Sequence, residues 1–533
     1  MDHQSYIRGK NHWDLEPDLP KILEQYWDDF NQELSTITSF GELVGEEVDR
    51  VASVVDQNPP ELIMHNVDGE RVDRARLDPA HEALLKDLSF INRPPYEGGS
   101  WHHHFTYSYL VADPGIYCTL IVTNQTAYAL YKYAQEYRAW MDQLLMGEAW
   151  GATWMTEIQG GSDLGSNTTI ASPIGDGLWI LDGGDKYFAS NAGIADYALV
   201  TARPVDALPG PKGLALFLLP RLDRNGDLNF RIRRFKRKSG TRAVPTGEVE
   251  IDKSEAYLIG EAEQGIYYTL ETLTVSRFAN AIGAMGLARK AHLEALFRVN
   301  SRRAFGADLV DHPLVKRDLT DLAVRTAGGL ALIFRAIEAF DKAWTETPPY
   351  TEKYHYARFL SHLAKNRTAD HASASTQMAM ELFGGLGFLD EYPVARLHRE
   401  ALITPIWEGT SNIQALDMLE VMAKKGAHEP FLDEMMTSLS GSQSPEVQLA
   451  RTKLVETLDQ LGTLSPGEAQ WASKDALAML ADVAQVALLL NLSETGGKRY
   501  EDLARLYSNH FIAGEPYPHW ALEASEIWHP ITI

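Results

Sequence analysis

At 533 residues, with 45% hydrophobic and 23% charged side chains, the chain has an ordinary globular composition and is too long for one core, so about two to four domains are expected. Seventy-three acidic against 49 basic residues leave a net charge of −24, which argues against sequence-independent nucleic-acid binding. Cys118 is the only cysteine, which excludes an internal disulfide and argues against a cysteine metal site.

Residues 1 to 150 read as a mostly helical domain. "LPKILEQYWDDFNQEL" carries apolar residues at helical spacing, and "TAYALYKYAQEYRAWMDQLLMGE" reads as one long aromatic-rich helix. The opening "MDHQSYIRGKNHW" lacks a basic segment followed by an apolar one, so no signal peptide is expected. "QNPPEL" and "INRPPYEGGSWHHHF" read as loops. The three histidines of "WHHHF" would alternate in direction along an extended run, and no carboxylate partner is evident, which argues against a metal site.

From 151 to about 262 short β-rich runs alternate with Gly, Asp, Asn and Pro turns. "LWILDGGDKYFASN", "YALVTARP", "GLALFLLPRLD" and "GEVEIDKSEAYLIG" read as strands of a small β-barrel or sheet domain. "RIRRFKRKSGTR" (231–242) holds seven cationic residues in twelve. It reads as a solvated strand and turn or, alternatively, as a contact for a phosphorylated ligand.

Residues 263 to 425 return to the helical period. Three very long helices, with "TSNIQALDMLEVMAKK" as a fourth, suggest an antiparallel four-helix bundle. "GSQSPE" (441–446) reads as a linker within a C-terminal helical extension, 426 to 533, which carries 15 acidic and six basic side chains, a net of −9. Its apolar run "LAMLADVAQVALLLNL" (477–492), interrupted by Asp482 and Gln485, is short for a membrane span and reads as a buried helix, so a cytoplasmic protein is expected. Strands are clustered and do not alternate with helices, so the fold class is a multidomain α+β architecture: a helical domain, a β domain, a four-helix bundle and a helical extension.

Several short motifs punctuate this order. "MTEIQGGSDLGSN" opens the β domain, where Gly160 and Gly161 allow close backbone approach and Ser162 and Asp163 offer polar contacts. "KYFASN" follows about 30 residues on. "RRAFG" (302–306) reads as the end of the first long helix, and "ELFGGLGF" (381–388) as a helix end and tight turn. "PIWEGTSNIQ" sets Glu408 between an apolar run and a Gly-Thr-Ser turn.

In this order and spacing the set resembles the acyl-CoA dehydrogenase flavoprotein superfamily over roughly residues 50 to 425. "NPPELIMHNVDGERVDRARLDPAHEALLKDL" and the long C-terminal extension resemble its AidB-like branch, AidB being a bacterial alkylation-response flavoprotein.

The resemblance implies FAD. It assigns Met155, Thr156, Glu157, Gly161, Ser162 and Asp163 to a loop against the flavin and ligand, and Phe188, Ala189 and Ser190 to the segment stacked on the ring. It assigns Arg302, Phe305 and Gly306 to the pyrophosphate across a subunit interface, and Gly384 and Gly385 to the adenine end. Thr410 and Asn412 would lie beside FAD, Arg277, Ser162 and Gly409 beside acyl-CoA, and Glu408 would be the base. Phe188 replaces the usual Trp, Pro313 stands where Gln is common, and Glu381 stands where a Gln often meets the cofactor, so that contact is in question.

The implied reaction is α,β-dehydrogenation of an acyl-CoA thioester in a homotetramer, with electrons passed to an electron-transfer flavoprotein or similar acceptor. A carboxylate in an apolar pocket, with "PIW" before it and Gly409 after it, is desolvated and its pKa rises toward the working pH. Thr410 to Asn412 would then start and cap a helix. The alternative is an AidB-like alkylation-response role, protective and associated with nucleic acid, with weak dehydrogenase activity; the acidic extension argues against it. A flavin oxidase or monooxygenase is a third reading, against which Glu408 is retained.

Overall fold

The structure, a computed structural model, describes residues 4–175 and 177–531. The chain divides into two compact units, one of residues 1–50, 100–113 and 277–533, the other of residues 51–99 and 114–276.

The second unit holds the β domain. Its strands are β1 (Glu61–His65), β2 (Arg71–Arg76), β3 (Gly151–Trp154), β4 (Ile170–Gly175), β5 (Leu178–Asp182), β6 (Lys186–Ser190), β7 (Tyr197–Pro204), β8 (Ala215–Pro220), β9 (Arg231–Phe235), β10 (Thr246–Glu250) and β11 (Ser254–Leu258). One sheet runs β3-β7-β4-β5-β11-β8, and β8 pairs back with β7, so five strands close on themselves with β3 alongside. A second sheet runs β6-β10-β9. Ala152, Trp154, Val200, Phe217, Leu219, Phe230 and Ile232 share one core, with Trp154 edge-on to Phe230 at 5.0 Å between ring centroids. The β1–β2 hairpin interrupts what reads as helical sequence; an Asn66-centred turn drives it, because the Asn66 side chain accepts from Asp68 N and Glu70 N. The aromatic run after Ala127 is also not one helix. It stops at Tyr133 and, after a short turn, resumes over Arg138–Leu145.

The first unit is helical. Its bundle is the C-terminal part of Gly265–Asn300 together with Pro313–Asp341, Glu352–Phe383 and Ser411–Lys425. Starts and stops follow local chemistry. Thr351 caps one helix by accepting from Lys353 N, and Gly384 ends it with φ +66°. Ser465 and Glu468 form a capping box for Pro466–Gly496.

That last helix is long and apolar enough to cross a membrane, yet most of its apolar stretch is buried inside the protein. "RRAFG" lies beyond the helix that ends at Asn300. It forms a tight hairpin, Arg303–Ala304 against Ala307–Asp308, with exposed Phe305 at its tip.

The histidine run is helical, not extended. Ser100 caps Trp101–Val111, and 3.6-residue spacing sends the rings to different partners. His102 meets Glu338 at 3.3 Å and His103 meets Glu33 at 3.8 Å, so carboxylate partners exist that the sequence did not reveal.

Candidate active site

In the second unit, Tyr187 N donates to Thr156 O at 2.9 Å, which sets the loop after β3 beside β6. Glu157 fastens that loop from below. Its carboxylate accepts from Lys186 Nζ (2.9 Å), Thr168 N (2.7 Å), Thr168 Oγ1 (2.8 Å), Thr169 N (3.2 Å) and Thr169 Oγ1 (2.6 Å). Burial pushes the acid up, but Lys186 and the threonine donors prevail and hold it at about 2. Glu157 therefore supports the loop and is itself fully buried.

Gly161 packs where a Cβ would run into Thr156 Oγ1. Ser162 and Asp163 are exposed, and Met155 is buried. On β6 Lys186 and Ala189 are buried while Phe188 is 57% exposed, a large open ring on the strand that the Thr156 loop meets. Ser190 O accepts from Trp154 Nε1 at 2.8 Å. Lys236 Nζ lies 4.6 Å from the Phe188 ring centre and bonds Glu248 at 2.7 Å. The cationic run is largely neutralised in this way. Arg233 pairs with Asp185 and Glu250, and Arg234 with Glu248, so its strand part is the solvated, paired surface.

In the first unit the Glu408–Gly409 turn is the feature of note. Glu408 has φ +58° and Gly409 φ +97°, a left-handed pair that is strained for a non-glycine residue. Three side chains hold its carbonyls. Glu408 O accepts from Arg277 Nε (3.2 Å) and Gln414 Nε2 (2.8 Å), and Gly409 O from Lys365 Nζ (2.7 Å) and Gln414 Nε2 (3.0 Å).

Since the Gln414 amide faces two carbonyls, its Oε1 faces His362 Nδ1 at 2.8 Å, which must carry the proton. Burial lowers His362 to about 3, so the ring is neutral. Arg277 also bonds Asp417 at 3.0 Å and, against the effect of burial, keeps that acid below its usual range. Arg277 is thus bonded both to the Glu408 backbone and to Asp417. A Cβ at 409 would lie 2.8 Å from Gln414 Nε2, so glycine is required twice over.

Glu408 Oε2 is closed off from solvent. The preceding run does not supply an apolar wall, however: it forms a turn in which Ile406 is 58% exposed and Trp407 half-buried. Thr410 sits at the helix N-cap but makes no side-chain capping bond, and Asn412 is exposed.

Arg302 is exposed, and its Nη1 would stand 3.7 Å from a Cβ on Gly384; Gly385 is open. Glu381 is exposed and accepts from Gln377 Nε2 at 3.4 Å. An open aromatic ring beside a glycine loop suits a flavin, and an exposed guanidinium beside uncovered glycines suits a pyrophosphate. These residues fit FAD.

Lys365, Gln414, His362 and Asp417 were missed from sequence. The available signal was polar residues at three-residue spacing, His362 with Lys365 and Gln414 with Asp417, on stripes that helical periodicity turns inward.

Two descriptions from the acyl-CoA dehydrogenase family match the chain, the middle domain over residues 152–254 and the C-terminal domain over 263–423, and the AidB N-terminal domain matches 4–148. AidB of Escherichia coli (strain K12) is 30% identical over 435 residues, 76% of this chain and 77% of its own. The chain belongs to the acyl-CoA dehydrogenase family. These are oxidoreductases acting on acyl-CoA, and the chain's likeness to AidB places it on that branch.

The 3-methylmercaptopropionyl-CoA dehydrogenase of Ruegeria pomeroyi is 32% identical over 57% of this chain and 55% of its own. Among solved structures, the apo-form of Bd2924 superposes with a TM-score of 0.82 at 26% identity, covering 92% of this chain and all of that one. Caenorhabditis elegans ACDH-11 in complex with C11-CoA has a TM-score of 0.84 at 23% identity over 99% of this chain and 96% of its own, which establishes the shared fold.

Proposed function

We propose that this protein is an FAD-dependent acyl-CoA dehydrogenase that forms the α,β double bond of an acyl-CoA thioester with Glu408 as base. The held Glu408–Gly409 turn is the observation that carries the reading. The two carbonyls of this strained turn, Glu408 O and Gly409 O, take four hydrogen bonds from Arg277, Gln414 and Lys365, which fixes the direction in which the Glu408 side chain leaves the backbone. Glu408 takes the α-proton onto its carboxylate. FAD, when bound, supplies the two-electron acceptor for the β-hydride. Phe188 would offer the ring its aromatic face, Thr156, Ser162 and Ser190 would offer polar contacts, and Arg302, with Gly384 and Gly385, would receive the pyrophosphate and adenine end.

Electrons would pass on to an electron-transfer flavoprotein or similar acceptor, in a cytoplasmic homotetramer. Exposed Phe305 at its hairpin tip suits a subunit contact.

Anaerobic titration of the purified yellow protein with a panel of acyl-CoAs tests this. One class should bleach the flavin, and Glu408→Gln should keep FAD yet abolish bleaching. Bleaching by Glu408→Gln at the native rate would remove Glu408 from the role of base. The AidB N-terminal match favours a second reading, an alkylation-response protein with weak dehydrogenase activity.

A further inference from the structure

We propose that Lys365 is a positioning residue for the base: by donating from Nζ to Gly409 O it fixes the left-handed turn that aims the Glu408 carboxyl. This rests on Glu408 being the base.

Among the described residues three lysines are buried, Lys186, Lys290 and Lys365. Lys186 is paired with Glu157 and Lys290 with Asp49. Each of those two bonds a carboxylate as well as a backbone carbonyl, whereas Lys365 bonds only the carbonyl Gly409 O, at 2.7 Å. Burying an ammonium against one carbonyl is a costly way to satisfy that carbonyl, and water or a neutral side chain would serve a merely structural turn.

The placement explains the choice. Gly409 follows Glu408 directly, and both residues hold positive φ. Arg277 and Gln414 grip Glu408 O, while Lys365 and Gln414 grip Gly409 O, so removing Lys365 leaves the second peptide held by one amide.

The charges around Lys365 tie it to the base as well. Burial lowers its ammonium to about 7; Glu408 and Asp370 act to raise it and Arg277 to lower it. Arg277 is itself countered by Asp417, and His362 is neutral. A group that titrates near neutrality beside the base gives the positioning role a pH signature that simple packing would lack.

The FAD-loaded full chain with Lys365→Met, Lys365→Arg and Glu408→Gln tests this by two measurements. The first is anaerobic flavin reduction by butyryl-CoA and octanoyl-CoA across neutral pH. The second, independent of turnover, is backbone hydrogen exchange of the 404–414 segment. Lys365→Met should reduce about tenfold to 100-fold more slowly with FAD content and thioester affinity retained. Exchange in 404–414 should rise about tenfold while the rest of the protein stays protected.

Lys365→Arg should recover part of the rate and lose any ionisation of the native profile near neutrality, since a guanidinium does not titrate there. Native rate and native exchange in Lys365→Met would overturn the proposal. So would a loss of protection throughout the molecule, or, should Lys365→Met not fold, a Lys365→Arg profile identical to the native one. If Glu408→Gln still bleaches, the base assignment fails, and the exchange measurement still reports whether Lys365 holds the turn.

Discussion

Glu157 is a motif residue whose carboxylate is occupied by the protein's own donors. Six donors converge on its carboxylate, an arrangement that suits the ion and not the neutral acid. Lys186→Met should leave that charge buried and uncompensated and cost about 3–5 kcal/mol in denaturant unfolding, with FAD retention falling in parallel. The pH sign follows from its depressed pKa. The stabilisation is complete above the ordinary glutamate range and is lost as pH falls toward about 2. Acid unfolding of Lys186→Met should accordingly lose part of its steepness in that window.

The Gly265–Asn300 helix carries a second acid with the opposite behaviour. Glu294 accepts from Ser5 Oγ and from Tyr6 N at 3.0 Å, while Arg298 bonds Tyr6 OH at 2.9 Å. Ile7 and Leu15 pack on Leu293 and Phe297 beside them. Burial pushes Glu294 up to about 7, outweighing these donors.

A raised carboxyl favours the protonated form in the folded state. Its contribution is therefore whole below the unfolded glutamate pKa and fades as pH climbs through about 7. The segment from Gln4 to Glu16 should open more readily on the alkaline side of 7, measured by hydrogen exchange corrected for intrinsic rates. Glu294→Gln should remove that dependence.

At the scale of the molecule, residues 426 to 533 read as an extension but lie within the helical unit. Asp482 accepts from Arg367 Nε and Nη2 at 2.6 and 2.8 Å and from Tyr507 OH at 2.7 Å, and His371 Nε2 lies 2.8 Å from Tyr507 OH. Asp482→Ala strands a buried guanidinium and should cost about 3–5 kcal/mol, measured by thermal or urea unfolding. A chain ending at 425 should not yield soluble protein, because the bundle would lose the cover of the Pro466–Gly496 helix. The same segment carries a net of −9, so a gel-retention assay near physiological salt should show no retained DNA. Retention there would favour the alkylation-response reading.

The sequence by itself determined the succession of helix, sheet and bundle, and the motif positions at Thr156, Phe188, Arg302, Gly384 and Glu408. Periodicity and glycine placement are local properties, and a family's motifs keep their order along the chain. Only the tertiary structure decided what those residues rest on. It showed Glu157 beneath its loop, Arg277 turned to Asp417 and the Glu408 backbone, and Lys365 and Gln414 gripping the turn. It also made "WHHHF" a helix and the terminal segment part of a core. These contacts join residues far apart in sequence, such as Arg277 with Asp417 and Arg367 with Asp482, and the energy of burying a polar group depends on that distant partner, which local spacing does not encode.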